Sequence, residues 1–431
     1  MLNINNIGIM KRLFLLVVII TLGWFCSFGQ NNIGTPYSYY GLGLMPENTG
    51  PYAAMGGVAA AMRDNDNINY LNPAAYTALD SNRFYFQLAM NGEYTWISTH
   101  QEISNYRVMQ NAYLNMGMRI RRNLYLSFGF TEKSDIGYNI NYSEMITGSI
   151  SNITFAQSLQ GLGGLNDIYG GLGWRYKNLS LGINFSFIFG KIEKQQTLMA
   201  NMESSYYVRT SEKVRVHDMI FNPGIQYDLK LSPRSNVILG ASMNFSQRLW
   251  AKQEFQSYKV NIGSSSTSIM DDETLERGYI VYPFRINGGF NFHHKDRLQV
   301  AGDYTFHKLS AYEAFKENQG MENYHKAALG FALTPDRTGR LFRQRMTYMA
   351  GAYFVDPGIR IRGFHADTYG LTIGTQMPFL LPNIGNELLL GVALDVGMRG
   401  SERNGLVMER YIKLRVNIAF KEFWFLKRKI N

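Results

Sequence analysis

The last part of the chain restricts the fold more than any other feature. Ile412, Leu414, Val416, Ile418 and Phe420 alternate with Tyr411, Lys413, Arg415, Asn417 and Ala419. Successive side chains of a strand point to opposite faces, so this stretch has one face that is wholly apolar. Residues 387–399 repeat the pattern, with Leu388, Leu390, Val392, Leu394, Val396 and Met398 on the apolar face. Two hairpins are equally plain. Leu114, Met116, Met118 and Ile120 lead through Arg121-Arg122-Asn123 to Leu124, Leu126, Phe128 and Phe130, and Trp174 and Tyr176 lead through Lys177-Asn178 to Leu179, Leu181, Ile183, Phe185, Phe187 and Phe189.

Further strands are expected near 83–97, 214–229, 237–249, 279–292, 298–307, 323–333, 345–355 and 366–378, which brings the count to fourteen. Connections alternate between short turns and longer segments at 131–166, 190–213, 250–278 and 308–322, expected as loops on the outer side. A soluble β-sandwich also hides an apolar face, but its other face should carry many Lys, Glu and Thr. Here the second face is mostly Gly, Ser, Asn, Ala and Tyr, which suits a crowded or watery lumen. The sequence therefore predicts an all-β protein: a 14-stranded antiparallel transmembrane β-barrel over residues 83–420. A closed barrel has no sheet edge, as lipid requires. Mean hydropathy of −0.19 excludes a bundle of membrane helices and is compatible with a barrel.

Residues 1–29 read as a signal peptide. Lys11 and Arg12 precede an apolar run from Leu13 to Phe25, and Ser27-Phe28-Gly29 offers a cut before Gln30. Removal would take away Cys26, the one cysteine, and lower the formal charge from +10 to +8. No basic cluster interleaved with aromatics lies on a helix, so nucleic acid is not an expected partner. Outer-membrane lipid and lipopolysaccharide headgroups are.

Residues 30–82 do not alternate. They hold Gly41, Gly43, Gly56, Gly57, Ala59-Ala60-Ala61 and Asn72-Pro73-Ala74. Small residues in such number suit a hatch inside the lumen; a periplasmic arm is the other reading. The combination of Met55-Gly56-Gly57, the stretch Asp64-Asn65-Asp66-Asn67 and Asn72-Pro73-Ala74 ahead of the first strand resembles the FadL/TodX family of outer-membrane transporters for hydrophobic compounds. Gly170-Gly171-Leu172-Gly173-Trp174, Asn178-Leu179-Ser180-Leu181-Gly182, Ala301-Gly302-Asp303-Tyr304, Tyr369-Gly370-Leu371 and Pro378 extend the resemblance along the chain.

The resemblance implies a hatch plugging a fourteen-stranded barrel, passive uptake of fatty-acid-like or aromatic molecules, and sideways release between strands. It implies gate roles for Asn72, Pro73, Ala74, Gly56 and Gly57, each of which also suits a plain turn, and a kink at Gly129, which also suits packing. Expected partners are hydrophobic small molecules, the barrel-assembly machinery and, in an alternative role, proteins of a secretion system built on the same fold.

No cofactor, metal or catalytic motif is expected. Asp64 and Asp66 have Ile68 where a calcium loop needs an oxygen ligand. His293-His294 reads as a solvated turn, and His307 and His325 flank an outer loop. Asp303, His307 and Ser310 lie too far apart along an extended strand to act together. Beyond Phe420, Trp424 is expected at the interface, and residues 421–431 as a periplasmic tail.

Overall fold

The computed structural model describes residues 34–45, 50–99, 103–147, 152–200, 206–261, 263, 267–361, 363–380, 386–402 and 406–424. The leader and the basic end of the tail lie outside these residues.

Fourteen antiparallel strands form the wall. They are β1 (Arg83–Ser98), β2 (Ile103–Arg121), β3 (Leu124–Thr147), β4 (Asn152–Tyr176), β5 (Leu179–Ala200) and β6 (Tyr206–Ser232). Next come β7, in segments Ser235–Asn244 and Gln247–Asn261, and β8, in segments Thr267–Tyr282 and Arg285–His294. The rest are β9 (Leu298–His307), β10 (Tyr324–Leu333), β11 (Thr347–Asp356), β12 (Thr368–Leu380), β13 (Glu387–Gly400) and β14 (Met408–Phe423). The wall closes where β1 pairs with β14, from Arg83 opposite Phe423 to Ser98 opposite Met408. β14 thus runs to Phe423, three residues into the expected tail.

The alternation sorts as expected. Ile412 and Leu414 face outward, 38% and 50% exposed, whereas Tyr411, Arg415, Asn417 and Ala419 are buried inside. On β5 the outward apolar run from Leu179 to Phe189 covers ten steps of about 3.4 Å. At the usual tilt its height is about 26 Å, which matches the apolar band of an outer-membrane barrel. Among the described residues no helix is long and apolar enough to cross a membrane.

The short turns, such as Arg122-Asn123, Lys177-Asn178 and Pro233-Arg234, gather at one end and mark the periplasmic side. The other end differs from expectation. Segments 131–166, 190–213 and 250–278 are largely strand, because β3 to β8 continue upward as paired strands, with bulges at Lys133 and near Gln256. Only 308–322 remains mostly loop. Above the lipid the outward face meets water, so Lys191, Glu193 and Lys213 replace the Leu and Phe below them. The hydrogen-bond ladder persists while the apolar alternation that reveals it disappears. The wall is therefore tall along β3–β8 and low along β9–β11, where each strand has ten residues.

The segment before β1 lies inside the barrel. It contains three short 3-10 turns, Pro36–Tyr39, Ala53–Met55 and Pro73–Ala78, and Met55, Val58, Ala59, Ala60, Ala61 and Met62 are all buried. Phe185 lies near the middle of the lipid-facing band, so Phe185→Arg should destabilise the barrel by about 2–4 kcal/mol. Denaturant unfolding from lipid vesicles reads this directly; an unchanged midpoint would mean that this face does not meet lipid.

Candidate functional site

The hatch meets the wall backbone to backbone. Asn72 is fully buried and caps the turn Pro73–Ala78, its Oδ1 accepting from the Ala74 N–H at 3.1 Å. Its Nδ2 donates to Ala60 O at 2.5 Å and lies 3.3 Å from both Ile225 O on β6 and Ala241 O on β7. One amide thus joins two hatch segments to two wall strands. The approach requires glycine in the wall. A Cβ on Gly182 would come within 2.3 Å of the Pro73 carbonyl carbon, one on Gly224 within 2.1 Å of Asn72 Oδ1, and one on Gly240 within 2.0 Å of Ala60 O. Gly182 and Gly224 stand directly opposite each other on β5 and β6.

A second seat lies on β10–β12. Gly56 and Gly57 have φ of 71° and 72°, a left-handed backbone that favours glycine. The Gly56 N–H donates to Thr372 Oγ1 at 2.9 Å, and that hydroxyl donates to Ala54 O at 2.9 Å. Gly330 and Gly351, paired on β10 and β11, leave room for Met55 and Gly56. Asp303 on β9 receives the Ala59 and Ala60 N–H groups at 2.5 and 2.7 Å. Arg63 donates to Ser180 Oγ at 2.6 Å and Thr77 O at 3.0 Å; burial pulls its guanidinium down to about 10, so it stays charged at neutral pH. Sequence reasoning gave Asp303, Arg63 and the wall glycines no role in seating the hatch. The available signal was glycine recurring at opposed inward positions of neighbouring strands.

The wall itself is split. β2 and β3 pair only between Arg121/Leu124 and Tyr113/Thr131. Above that they part, at about 18 Å from the periplasmic edge, within the outer half of the band. Gly129 lies two residues below the split, regularly paired with Asn115 and Tyr169, and a Cβ there would come within 2.3 Å of Leu114 O. The irregularity in β3 comes later, where Lys133 is bulged against β4.

The freed edge of β3 is taken by the hatch. Leu44 and Asp135 exchange both backbone hydrogen bonds at 3.0 Å, and Gly34 N donates to Gly137 O at 2.9 Å. This part of the hatch, residues 34–44, forms a strap that crosses to the start of β14, where Thr35 Oγ1 donates to Glu409 and Tyr37 OH to the O of Val407, just before the strand. Around the strap, the inner face of the tall wall is apolar, with Ile136, Ile188, Ile192, Val214 and Leu249 in one buried cluster with Leu42 and Tyr312. Between strap and loops remains a cavity of about 30 Å³, lined by Leu42, Leu44, Leu309, Tyr312, Met321 and Ile359.

The other singled-out residues do not converge. Asp303 serves the hatch, His307 is buried with Nε2 3.3 Å from Pro283 O, and Ser310 donates to Asn323 Oδ1 at 2.8 Å. His307 and His325 stand on opposite faces: His307 points inward, while His325 contacts Tyr304 OH at 2.6 Å outside. His294 contacts Ser235 at 2.8 Å. Asp64 binds the hatch's own Asp66 and Asn67 N–H groups at 2.8 Å. Asp356, His365 and Asp367 bring ligand-type atoms within 4.8 Å of one another. Arg360, 3.0 Å from His365 Nε2, ties that group into the β11–β12 loop.

The family model described as BamG matches residues 9–431. The chain belongs to this family. No curated protein matches it in sequence. Among solved structures, a Pseudomonas aeruginosa FadL homologue superposes with a TM-score of 0.62 at 12% identity, covering 90% of this chain and 100% of that one. The CymD monoaromatic hydrocarbon channel gives 0.57 at 14% identity over 88% and 98%. The Pseudomonas putida toluene transporter TodX gives 0.55 at 13% identity over 88% and 99%. The fold is that of this group of plugged outer-membrane barrels.

Two measurements check the seat. Gly224→Val should push Asn72 off the wall while the barrel still closes, so that the hatch becomes protease-sensitive and cells admit hydrophilic dyes; unchanged protection would show that the contact is dispensable. Asp66 gives a pH signature. Burial alone would raise its carboxyl, but Lys421 and Arg337, the latter at 3.2 Å, outweigh burial and hold it below the usual range. A depressed folded pKa stabilises above the unfolded value of about 3.9 and is lost as pH falls through the folded value. The extra hatch protection of wild type over Asp66→Asn should therefore be full at pH 7, begin to decline below about pH 4 and disappear only once pH lies below the lowered folded value.

Proposed function

We propose that this outer-membrane barrel is a passive uptake channel for small hydrophobic molecules, aromatic or fatty-acid-like, that releases them sideways into the bilayer. The observation that carries the reading is the split between β2 and β3, held shut by backbone pairing with Leu44 and Gly34 rather than by the neighbouring strand. The apolar inner face of the tall wall, covered by Leu42 and Tyr312, takes an apolar molecule out of water once that cover moves. Leaving through the split, the molecule enters hydrocarbon without crossing the polar lumen.

Ligand sites usually measure about 300–1,000 Å³. The cavity of about 30 Å³ beside the strap is far smaller, so passage requires the strap or the 308–322 loop to move. In this reading Asn72, Pro73, Ala74, Gly56 and Gly57 hold the hatch as its two seats, and Gly129 lets β2 and β3 approach closely just below the split. The hatch seats need no catalytic group. The fold likeness to channels for toluene and monoaromatic hydrocarbons supports the cargo class.

The small cavity favours a second reading. A cavity this small beside the strap also suits a scaffold that presents its exterior to other outer-membrane proteins, such as the barrel-assembly machinery suggested by the family name, or a secretion system.

One pair of substitutions separates the two. Leu44 and Asp135 are directly opposed, at a Cα spacing that a disulfide spans. Leu44→Cys with Asp135→Cys should reduce uptake of labelled toluene and labelled fatty acid to the level of a deletion strain, with reductant restoring it. Equal uptake by wild type and deletion strain rejects transport; defective folding of other barrels in that strain then selects the scaffold.

A further inference from the structure

The outer rim of the wall carries an arrangement that strand pairing ordinarily avoids. Lys191 on β5 stands directly opposite Arg215 on β6, Arg215 opposite Lys252 on β7, and Lys252 opposite Arg277 on β8. Directly opposed like charges destabilise a sheet. Four cations in one row across four neighbouring strands therefore need a reason beyond folding. All four point outward; Lys191, Arg215 and Lys252 are 49%, 47% and 38% exposed at the side chain, and Arg277 is exposed.

The row has a fixed height. Lys191 follows Phe189, the last residue of the lipid-facing run on β5, and Trp250, 66% exposed, lies one outward step below Lys252. The cations thus sit immediately above the aromatic edge of the apolar band, on the side away from the short turns. The next outward row holds Glu193, Lys213 and Glu254. Lys191 pairs with Glu193 at 2.6 Å, while Arg215 and Lys252 share Glu254. Across the two rows five cations face two carboxylates, which leaves a net positive strip. At the usual strand spacing the four-cation row spans about 14 Å.

We infer that this row binds the phosphate groups of phosphorylated glycolipid in the outer leaflet, with the acyl chains lying against the aromatic and apolar band below. Headgroup phosphates occur at this height and form a sheet of anions that otherwise needs dissolved cations to hold it together. A row of fixed cations replaces those ions locally, and bound phosphate cancels the repulsion that the row carries. Interfacial cations attract anionic headgroups, and opposed Lys and Arg offer both point-charge and bidentate contacts. The assignment is independent of what passes through the lumen.

The test uses the full-length barrel purified in neutral detergent and titrated with bisphosphorylated lipid A, its dephosphorylated form and phosphatidylglycerol, with bound lipid read by native mass spectrometry. Wild type should hold lipid A most tightly. Each of K191Q, R215Q, K252Q and R277Q should weaken binding roughly fivefold, and the four together by a hundredfold or more. Removing Lys177 and Lys230 at the periplasmic end should change nothing. Thermal unfolding in lipid-free detergent supplies the second readout: the fourfold variant should be as stable as wild type or more so, because repulsion has been removed. Undiminished lipid A binding by that variant overturns the inference. So does equal binding of dephosphorylated lipid or phosphatidylglycerol, or a large loss of lipid-free stability.

Discussion

Backbone hydrogen bonding in lipid governs this structure. Hydrocarbon offers no partner for an N–H or C=O, so every strand in the band must be paired on both sides. Fourteen strands closed by β1 on β14 meet that demand almost everywhere. The exception between β2 and β3 is informative, because the chain satisfies the orphaned edge of β3 with its own N-terminal strap. A similar economy recurs between β6 and β7, whose ladder lapses from Val216/Ala251 to Gly224/Ser242. There side chains bridge the seam: Asn222 donates to Met243 O at 2.8 Å, and Asp218 receives the Trp250 N–H at 3.0 Å.

Filling the lumen follows different rules. The hatch packs Met55, Met62, Ile68 and Tyr76 into apolar clusters with the wall, and elsewhere its backbone is pressed directly against wall glycines. Close approach lets Asn72, Asp303 and Thr372 reach main-chain groups that would otherwise be buried without partners. Beside the hatch, Arg399 pairs with Glu409 at 2.9 Å and Arg415 with Asp395 at 2.8 Å, all four side chains nearly buried. Such pairs contribute little net stability against apolar packing, but removing one partner leaves a buried charge. Their effect is to fix which strands lie beside which hatch residues.

Charge on the outside follows membrane depth. Leu and Phe occupy the band, Trp250 its edge, and Lys and Arg the first row above. Read vertically, the wall records the solvent that each level meets. That same gradient explains why the upper strands read as loops in the sequence: once water lies on the outer face, the outward positions turn polar and the outward apolar run that marks the strands below is lost.

The sequence by itself determined the strand number, the inward and outward faces, the short turns and the presence of a small-residue segment ahead of β1. These are local properties, set by alternation along one strand and by residue size. Tertiary structure alone decided the heights of β3–β8, the split above Tyr113 and Thr131, the strap across it and the partners of Asn72. Each of those depends on register between segments far apart in the chain. Gly182, Gly224 and Gly240 are unremarkable when read singly and become a seat only when pairing aligns them beneath Pro73 and Ala60. The four-cation row is of the same kind: no two of its members are neighbours in sequence, and hydrogen bonding between strands alone brings their charges side by side.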